Sequence, residues 1–395
     1  MDKKQGQGHS RMTPKQKAAK KRRNIIIFIV ELFVLAIVVA AAWIVIRFTG
    51  TDHTNLDAGM ITDPSAELDS DKIYVNPDAG INVSQNGDIE IDPNNPMSGY
   101  TQIALFGVDS RSKKLGSGDN RSDTIIIACI NNETKEVKLV SVYRDTYLNL
   151  STDYYNKCNG AFAAGGAAAA ITMLNTNLDL AITDYVTVGF TGLIDVIDAL
   201  GGVWIDVKEN EIRYLNDYQI SMVGTTTDNI AYYATEGVDY TAVTQAGYQK
   251  LNGLQATAYC RIRYVGDDYG RTERQRKVIM AVLEEARKMD ANQLIKILNS
   301  SIFEEFDTSL KIDQITEVLM DLSSYTIVES AGFPSMDMLT SGTIGGKGSC
   351  VVPLDLSSNV TWLHGILFDD PEYVPSSLVE TYSDRIESDT APYLR

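Results

Sequence analysis

A mixed α/β domain behind a single transmembrane helix is the architecture that this sequence predicts. Residues 24–46 form an apolar run, and crossing the hydrocarbon core of a bilayer takes about 20 such residues. After residue 100, short apolar runs bounded by turn residues alternate with segments of helical character. This pattern continues to about residue 390 without a second linker, which favours one large domain over two.

The residues around the apolar run predict its orientation. Residues 1–23 hold nine Lys and Arg residues against one acid, Asp2. Because positively charged flanks stay in the cytoplasm, we expect a cytoplasmic tail (1–23), a transmembrane helix (24–48) and an extracellular C-terminal domain anchored in the cell membrane. A cleavable signal peptide is the alternative, but its apolar region spans only about 7–15 residues. An uncleaved anchor is therefore the favoured interpretation.

Charge divides sharply at this predicted anchor. Residues 1–50 carry ten basic and two acidic residues, so the other 25 basic and 50 acidic residues leave the rest of the chain at −25. Such a domain is a poor binder of nucleic acid, which requires a basic surface. An anionic ligand must instead be held by a local cluster of basic residues or by a metal.

Cysteine and histidine do not indicate a site. Four cysteines in 395 residues do not form a disulfide scaffold, and Cys129 and Cys260 lie in apolar or strand-like runs, where we expect them to pack as small hydrophobic side chains. The three histidines are scattered along the chain, so neither a His-rich metal site nor a Ser-His-Asp triad is predicted.

The predicted elements follow in chain order. Residues 49–98 are rich in Asp, Asn, Ser, Gly and Pro and are interpreted as an extracellular stalk before the domain at 99–390. Residues 208–245 are polar and rich in Tyr and Thr, and are interpreted as an insertion or a lid-like loop. The predicted strands are 103–108, 124–130, 137–142, 185–188, 203–207 and 325–329, with a hairpin turn at 131–135. The predicted helices are 160–175, 191–200, a long helix from about 271, 291–300, 312–324 and a final helix at 359–367.

Two acidic residues occur where the first two strands of the domain meet. Asp109 follows strand 103–108 and Asp123 precedes strand 124–130, so antiparallel pairing would bring them to one sheet edge. Each alone is more simply a turn or capping residue. As a pair beside an arginine-rich segment they favour a Mg²⁺ site, because Mg²⁺ is usually held by one or two carboxylates with waters and phosphate oxygens.

Arginines are concentrated in two segments. Arg144 follows strand 137–142, whereas Arg261 and Arg263 lie two apart in a segment interpreted as extended, which would place both side chains on one side. Arg271 and Gln275 lie four apart at a helix start and share a face. The arginine fork suits phosphate oxygens, so these residues predict a pyrophosphate-like ligand.

A solvated basic face or structural ion pairs would explain such residues without a ligand. That simpler interpretation is favoured for Arg276 and Lys277, but not for Arg261, Arg263 or Arg271. Together with the metal site, the pattern predicts an exported site for Mg²⁺ and pyrophosphate beside the membrane.

At this point the chain resembles the LytR-CpsA-Psr family of mainly Gram-positive bacteria. The matching motifs occur in the family's order over roughly residues 100–280, and although single pieces are weak, the ordered set is highly specific. They are Leu105-Phe-Gly-Val-Asp-Ser-Arg111, Arg121-Ser-Asp-Thr124, Ser141-Val-Tyr-Arg-Asp-Thr146, Asn156-Lys-Cys-Asn159, Ala163-Ala-Gly-Gly166, Val196-Ile-Asp-Ala-Leu-Gly-Gly-Val203, Arg261-Ile-Arg263 and Gly270-Arg-Thr-Glu-Arg-Gln275.

The resemblance implies an α/β/α sandwich with a mixed central sheet and an apolar groove for a prenyl chain. It also implies transfer of an anionic glycopolymer, such as wall teichoic acid or capsule, from a polyprenyl-pyrophosphate carrier to peptidoglycan. Asp109 and Asp123 match the Mg²⁺-associated acids of the family. The residues that match its pyrophosphate-binding set are Arg144, Arg261, Arg263, Arg271 and Gln275, with Lys157 in a less tightly aligned segment.

We therefore expect phosphoryl transfer assisted by Mg²⁺ or Mn²⁺. Catalysis should depend on Arg144 and Arg263, while Asp145 or another acid of the site assists deprotonation of the acceptor hydroxyl. One alternative keeps the site but makes the chain a polyprenyl-pyrophosphate hydrolase. Another is a non-catalytic, membrane-anchored regulator of the cell envelope, although a 23-residue tail is too short for a DNA-binding domain.

Overall fold

The computed structural model describes residues 57–61, 68–69, 72–108, 115, 120–151, 153–227, 231–289, 293–294, 306–310 and 324–394. The predicted tail and transmembrane helix lie outside these residues, as do most of the predicted helices at 291–300 and 312–324. Within the described part of the chain, no helix is both long and apolar enough to cross a membrane.

Seven helices and eighteen strands are defined in this part of the chain. The helices are α1 (Gly160–Leu178), α2 (Phe190–Ala199), α3 (Glu209–Val223), α4 (Gly253–Arg261), α5 (Asp267–Ala286), α6 (Leu356–Phe368) and α7 (Ser377–Thr390). The strands are β1 (Asp57–Met60), β2 (Lys72–Val75), β3 (Ile81–Val83), β4 (Ile89–Ile91), β5 (Tyr100–Val108), β6 (Ser122–Asn131), β7 (Glu136–Val142), β8 (Tyr147–Asn149), β9 (Tyr155–Lys157), β10 (Asp184–Gly189), β11 (Val203–Val207), β12 (Thr225–Thr227), β13 (Ala231–Tyr233), β14 (Gly247–Leu251), β15 (Phe306–Thr308), β16 (Thr326–Phe333), β17 (Leu339–Thr343) and β18 (Ser349–Pro353).

The central sheet has six strands in the order β15-β10-β5-β6-β7-β16. Strand β10 runs parallel to β5 and β16 runs parallel to β7, while the other neighbours are antiparallel, so the sheet is mixed. The predicted antiparallel pairing of the first two strands and the hairpin that follows them are both confirmed.

Helices cover both faces of this sheet. Phe106, Ile125 and Ile127 point to a core shared with α1, α6 and α7, whereas Leu105 and Ile126 point to the opposite core, which includes Ile279 of α5. Successive strand residues alternate between the faces, and because both faces are buried the strands are apolar almost throughout. The architecture is therefore the expected α/β/α sandwich.

Part of the predicted stalk belongs to the domain instead. Ile73, Val75, Ile81 and Met97 are fully buried in the same core as the sheet. The backbone N–H of Tyr74 also donates to Oγ1 of Thr172 in α1, at 3.1 Å. The stalk prediction is thus wrong for residues 72–98, because a polar composition concealed a few apolar side chains that reach the core.

Two further elements differ from the prediction. The segment 208–245 is not a simple loop, since it contains α3 and the β12–β13 hairpin. Glu211 accepts a hydrogen bond from the backbone N–H of Lys208 at 2.9 Å and caps α3. At the C-terminus, α7 follows the helix that was predicted to be final, and its Tyr382 and Ile386 are buried in the core.

A buried carboxylate joins three distant segments of the sandwich. Asp179, directly after α1, accepts hydrogen bonds from the side chain of Asn76 (2.9 Å), the hydroxyl of Tyr373 (3.0 Å), and both the backbone N–H and the hydroxyl of Ser376 (2.8 Å each). Burial raises the pKa of Asp179, although these hydrogen bonds partly oppose the shift. The four donors connect the N-terminal segment and the start of α7 to α1.

We expect Asp179→Asn to lower the free energy of unfolding by about 2 kcal/mol, because one acceptor oxygen becomes a donor facing donors. Asn retains the volume and tolerates the left-handed backbone at this position, where φ is 51°. Urea unfolding measures the loss, with the exposed Glu90→Gln as a control that should stay within about 0.5 kcal/mol of wild type. Equal stability of the two variants would contradict the role assigned to Asp179.

Candidate active site

Three of the predicted arginines converge on one carboxylate. Asp123, the second residue of β6, is 11% exposed in its side chain. Its Oδ1 accepts from Nη1 of Arg144 at 2.6 Å, and its Oδ2 lies 3.2 Å from Nη2 of Arg263 and 2.8 Å from Nη2 of Arg271. Arg271 also donates to the backbone carbonyl of Asp123 at 3.1 Å. We call Asp123 and these three arginines the Asp123 cluster.

The Asp123 cluster has more positive than negative charge. Burial alone would raise the pKa of Asp123, but the fields of Arg271, Arg144 and Arg263 outweigh it and hold this pKa below its usual range. One carboxylate then faces three guanidinium groups in a chain whose net charge is −17. This local excess is the condition that the sequence predicted for an anion site.

Arg144 is positioned by a tight turn after β7. The backbone N–H of Thr146 donates to the carbonyl of Tyr143 at 2.9 Å, and the N–H of Asn159, just before α1, donates to the carbonyl of Arg144 at 3.1 Å. Sγ of Cys158 lies 3.3 Å from the same Arg144 carbonyl. The turn is therefore fastened to the start of α1, which fixes where the guanidinium can reach.

Asp145 and Lys157 extend the cluster. The Asp145 carboxylate lies 3.6 Å from Nε of Arg144 and 3.2 Å from Nζ of Lys157. Lys157, which the resemblance placed less securely than the arginines, thus reaches the cluster through Asp145 rather than through Asp123.

Arg271 and Gln275 lie on one face of α5, as the spacing predicted, and both are largely buried. The helix begins at Asp267, four residues before the predicted start. Both side chains line a cavity beside the Asp123 cluster.

The prediction that Arg261 and Arg263 lie in an extended segment is wrong for Arg261. This residue is the last of helix α4, which begins with a capping box between Asn252 and Gln255. The Arg261 guanidinium lies over the rings of Phe190 (4.5 Å) and Tyr218 (5.5 Å), whereas Arg263 binds Asp123. The two arginines therefore contact different partners, and the aromatic rings hold Arg261 by cation–π contacts.

An apolar cavity that opens to solvent adjoins the Asp123 cluster. Its walls come from one face of the sheet and from α2, α4 and α5, through residues such as Leu105, Ile126, Leu193 and Val278. Its charged and amide-bearing lining side chains are those of Asp123, Arg261, Arg271 and Gln275. The cavity thus combines an apolar interior with a boundary that favours anions.

A second cavity borders the cluster through Arg144 and Arg263. It is open to solvent, and its other walls are Asp145, Tyr269 and residues of the β17–β18 hairpin. The hairpin residues were not predicted from the sequence, because serines and apolar residues after position 330 carry no charge pattern. Tyr269 lies inside a matched segment, but nothing in its spacing distinguished it.

Other basic residues near α5 are structural. Arg274 pairs with the buried Glu211 of α3 at 3.2 Å and donates to the carbonyls of Ile262 (2.6 Å) and Val265 (2.7 Å). Lys277 pairs with Glu273 on the surface at 2.8 Å. The ion-pair interpretation favoured for Lys277 is confirmed, and Arg274 fixes the loop that carries Arg263.

Only part of the predicted metal site lies among the described residues. Asp109 lies outside the described residues, but Val108 before it pairs with Ser122 before Asp123, so β5 and β6 end at the predicted edge. Within the described ranges, no group of three or more His, Cys, Asp or Glu residues is placed to hold a metal. The Asp123 carboxylate supplies oxygen donors of the kind that Mg²⁺ takes.

We expect Glu211→Ala to lower the free energy of unfolding by about 3–5 kcal/mol, because it leaves the buried Arg274 charge without its carboxylate. The matched change Glu273→Ala removes an exposed partner and should cost no more than about 0.5 kcal/mol. Denaturant unfolding of both variants gives the comparison, and similar losses would show that burial of the Arg274 pair is unimportant.

We expect Asp123→Asn to destabilise the chain at pH 7 by about 2–4 kcal/mol, since three guanidinium groups then lack their shared anion. Because the folded-state pKa of Asp123 is lowered, its stabilising contribution is full above the usual carboxyl range near about 4 and disappears as the pH falls through the folded pKa. The free energies of unfolding of wild type and variant should differ by a constant amount from pH 7 to pH 5. Below pH 5 this difference should shrink. A difference that grows on acidification would contradict this assignment.

Several characterised proteins are similar to this chain. Biofilm regulatory protein A of Streptococcus mutans is 32% identical over 224 residues, which cover 54% of this chain and 51% of the relative. The polyisoprenyl-teichoic acid–peptidoglycan teichoic acid transferase TagU of Enterococcus faecalis is 28% identical over 245 residues, 61% of this chain and 70% of the transferase. The chain thus spans about half the length of the first relative.

Solved structures share the fold. TagT bound to LIIa-WTA superposes with a TM-score of 0.54 at 20% identity, covering 72% of this chain and 95% of TagT. Protein gbs0355 from Streptococcus agalactiae gives a TM-score of 0.56 at 26% identity, covering 72% and 92%. The model of the LytR_cpsA_psr family matches residues 70–345, most of the chain and every residue of the Asp123 cluster. The chain therefore belongs to the LytR-CpsA-Psr family.

Proposed function

We propose that this chain transfers an anionic glycopolymer from a polyprenyl-pyrophosphate carrier to peptidoglycan. The observation that carries the proposal is the junction of the Asp123 cluster with an apolar cavity, because such a carrier joins two phosphates to a long hydrocarbon chain. The Enterococcus faecalis relative is named for this type of transfer, with teichoic acid as the polymer.

The arginines are the groups that would bind the pyrophosphate. Arg144, Arg263 and Arg271 already lie within 3.2 Å of one carboxylate, so their guanidinium groups are gathered before the ligand arrives. The phosphate oxygens of a pyrophosphate are better partners for three guanidinium groups than the two carboxylate oxygens of Asp123. Gln275 and Arg261 line the cavity next to them and supply further donors.

The apolar cavity would bind the carbon chain that is linked to those phosphates. Burial of a CH₂ group stabilises binding by about 0.8 kcal/mol, so several isoprene units outweigh the cost of ordering the lipid. The walls of sheet and helix exclude water from the phosphate end, and this strengthens each arginine contact.

The reaction that this arrangement supports is displacement at the sugar-linked phosphorus. A hydroxyl of the acceptor glycan attacks, the bond to the bridging oxygen of the pyrophosphate breaks, and polyprenyl phosphate leaves. Arg144 and Arg263 stabilise the charge on the phosphoryl oxygens, and Asp145 beside them is the candidate to accept the hydroxyl proton.

A divalent cation is part of the proposal. Mg²⁺ or Mn²⁺ bound to Asp123 and Asp109 would supply charge neutralisation at the pyrophosphate. The predicted helix at 24–48 likewise stays a prediction, and such an anchor in the cell membrane would hold the domain where lipid-linked polymers are exposed.

Two alternatives use parts of the same evidence. Attack by water instead of a sugar would make the chain a polyprenyl-pyrophosphate hydrolase. The name of the Streptococcus mutans relative favours a regulatory role. Incubation of purified protein with a lipid-linked donor, with and without peptidoglycan, separates them: transfer needs the acceptor, hydrolysis proceeds without it, and a regulator turns over no donor.

We expect Arg144→Ala and Arg263→Ala each to abolish attachment of polymer to the wall in cells, because each removes a direct contact to the phosphoryl group. Arg385→Ala is the matched control, since its side chain is 47% exposed, close to the 45% of Arg263, and its carboxylate partners lie away from the Asp123 cluster. Wall-bound polymer is measured after confirming equal protein levels. Wild-type attachment in both cluster variants would overturn the proposal.

A further inference from the structure

The two cavities beside the Asp123 cluster share no lining residue. Asp123 and Arg271 line the apolar cavity, while Arg144 and Arg263 line the second. The carrier lipid proposed above occupies only the first, so the second cavity has no assigned ligand although it reaches the same phosphate-binding groups.

The second cavity is more polar than the first. Its lining includes Arg144, Asp145 and Arg263, and also the exposed Ser341 and Ser349 of the β17–β18 hairpin, beside Cys350 and Val351. Charged groups and hydroxyls at this density suit a ligand with many hydroxyls and amides, and a hydrocarbon chain would leave them without partners.

Tyr269 adds a fixed aromatic surface to this cavity. Its ring contacts the ring of the buried Tyr143 edge-to-face with centroids 4.9 Å apart, and its hydroxyl lies 3.3 Å from Oγ of Ser341. These contacts hold the half-buried ring in one position. An immobilised ring beside hydrogen-bonding groups suits a sugar, whose C–H face packs on the aromatic surface while its hydroxyls reach the polar side chains.

We propose that the second cavity is the acceptor subsite, which binds a sugar ring of a peptidoglycan glycan strand with Tyr269 as its platform. The inference rests on the proposed transfer and deepens it. Phosphoryl transfer places the attacking and leaving oxygens in line on opposite sides of phosphorus. Polyprenyl phosphate leaves toward the apolar cavity, so the attacking hydroxyl approaches from the Arg144 and Arg263 side.

The step balances with the groups present. The acceptor oxygen forms a bond to phosphorus, and the bond from phosphorus to the bridging oxygen breaks. Polyprenyl phosphate keeps that electron pair, and the hydroxyl proton passes to Asp145, which lines the same cavity. No oxidant or further reactant is required.

The test uses the full-length chain in detergent, a prenyl-pyrophosphate-linked N-acetylhexosamine disaccharide as donor and uncrosslinked glycan strands as acceptor. We expect Tyr269→Ala to raise the acceptor KM about tenfold, the loss of one aromatic contact, while the donor Kd stays within about twofold. Tyr269→Phe keeps the ring and should change the acceptor KM by less than about threefold, since only its hydrogen bond to Ser341 is lost. Tyr264→Ala is the matched control, because Tyr264 lies in the loop directly before α5, is 75% exposed and stacks on Tyr214 instead.

Binding of the glycan strands without donor is measured in parallel, so that the two proposals can fail separately. If wild type shows no transfer but Tyr269→Ala weakens strand binding, the proposed reaction fails and the subsite stands. An unchanged acceptor KM and unchanged strand binding in Tyr269→Ala would overturn the subsite. It is also overturned if the variant weakens donor binding as much as acceptor binding, because the cavity then holds the donor's sugar.

Discussion

The Asp123 carboxylate is the contact on which the arrangement of the site depends. It binds arginines from three segments: the end of β7, the loop after α4 and the first turns of α5. Three guanidinium groups gathered without an anion would repel one another, so Asp123 stabilises the geometry that the proposed phosphate ligand would require. A phosphate group can then replace one carboxylate without rebuilding the site, which reduces the ordering cost of binding.

The central sheet explains why Asp123 and Arg144 meet. Ile126 of β6 is paired with Ser141 of β7, and three residues beyond this pair stand Asp123 in β6 and Arg144 in the turn after β7. On the other side, Gly107 of β5 leaves room for Thr124, because a Cβ there would lie 2.9 Å from the Thr124 Cβ. Strand register thus brings residues that are distant in the sequence to one charged edge of the sheet. Helix α5 covers one face of the sheet and contributes Arg271 to this edge.

The sequence revealed those parts of the site whose residues carry charge at the ends of apolar strands. Asp123 and Arg144 could be placed because strand pairing alone decides their neighbourhood. Arg261 could not, because a short helix was mistaken for an extended segment and its aromatic partners Phe190 and Tyr218 lie far away in the chain. The hairpin serines had no signal at all, since a hydroxyl gains a role only from what folding places beside it.

The two cavities beside the Asp123 cluster differ in polarity, so the two sides of the cluster are not equivalent. Under the proposed function, the Arg271 side would favour an apolar chain, and the side of Arg144 and Arg263 would favour a hydroxyl-rich strand. Phosphates bound between the two cavities would then be approached by donor and acceptor from opposite sides. The in-line geometry of phosphoryl transfer would then follow from where the fold buries its apolar surface. Asp145 would then need only to receive the proton of the acceptor hydroxyl, because the cavity walls would already direct the approach of that hydroxyl.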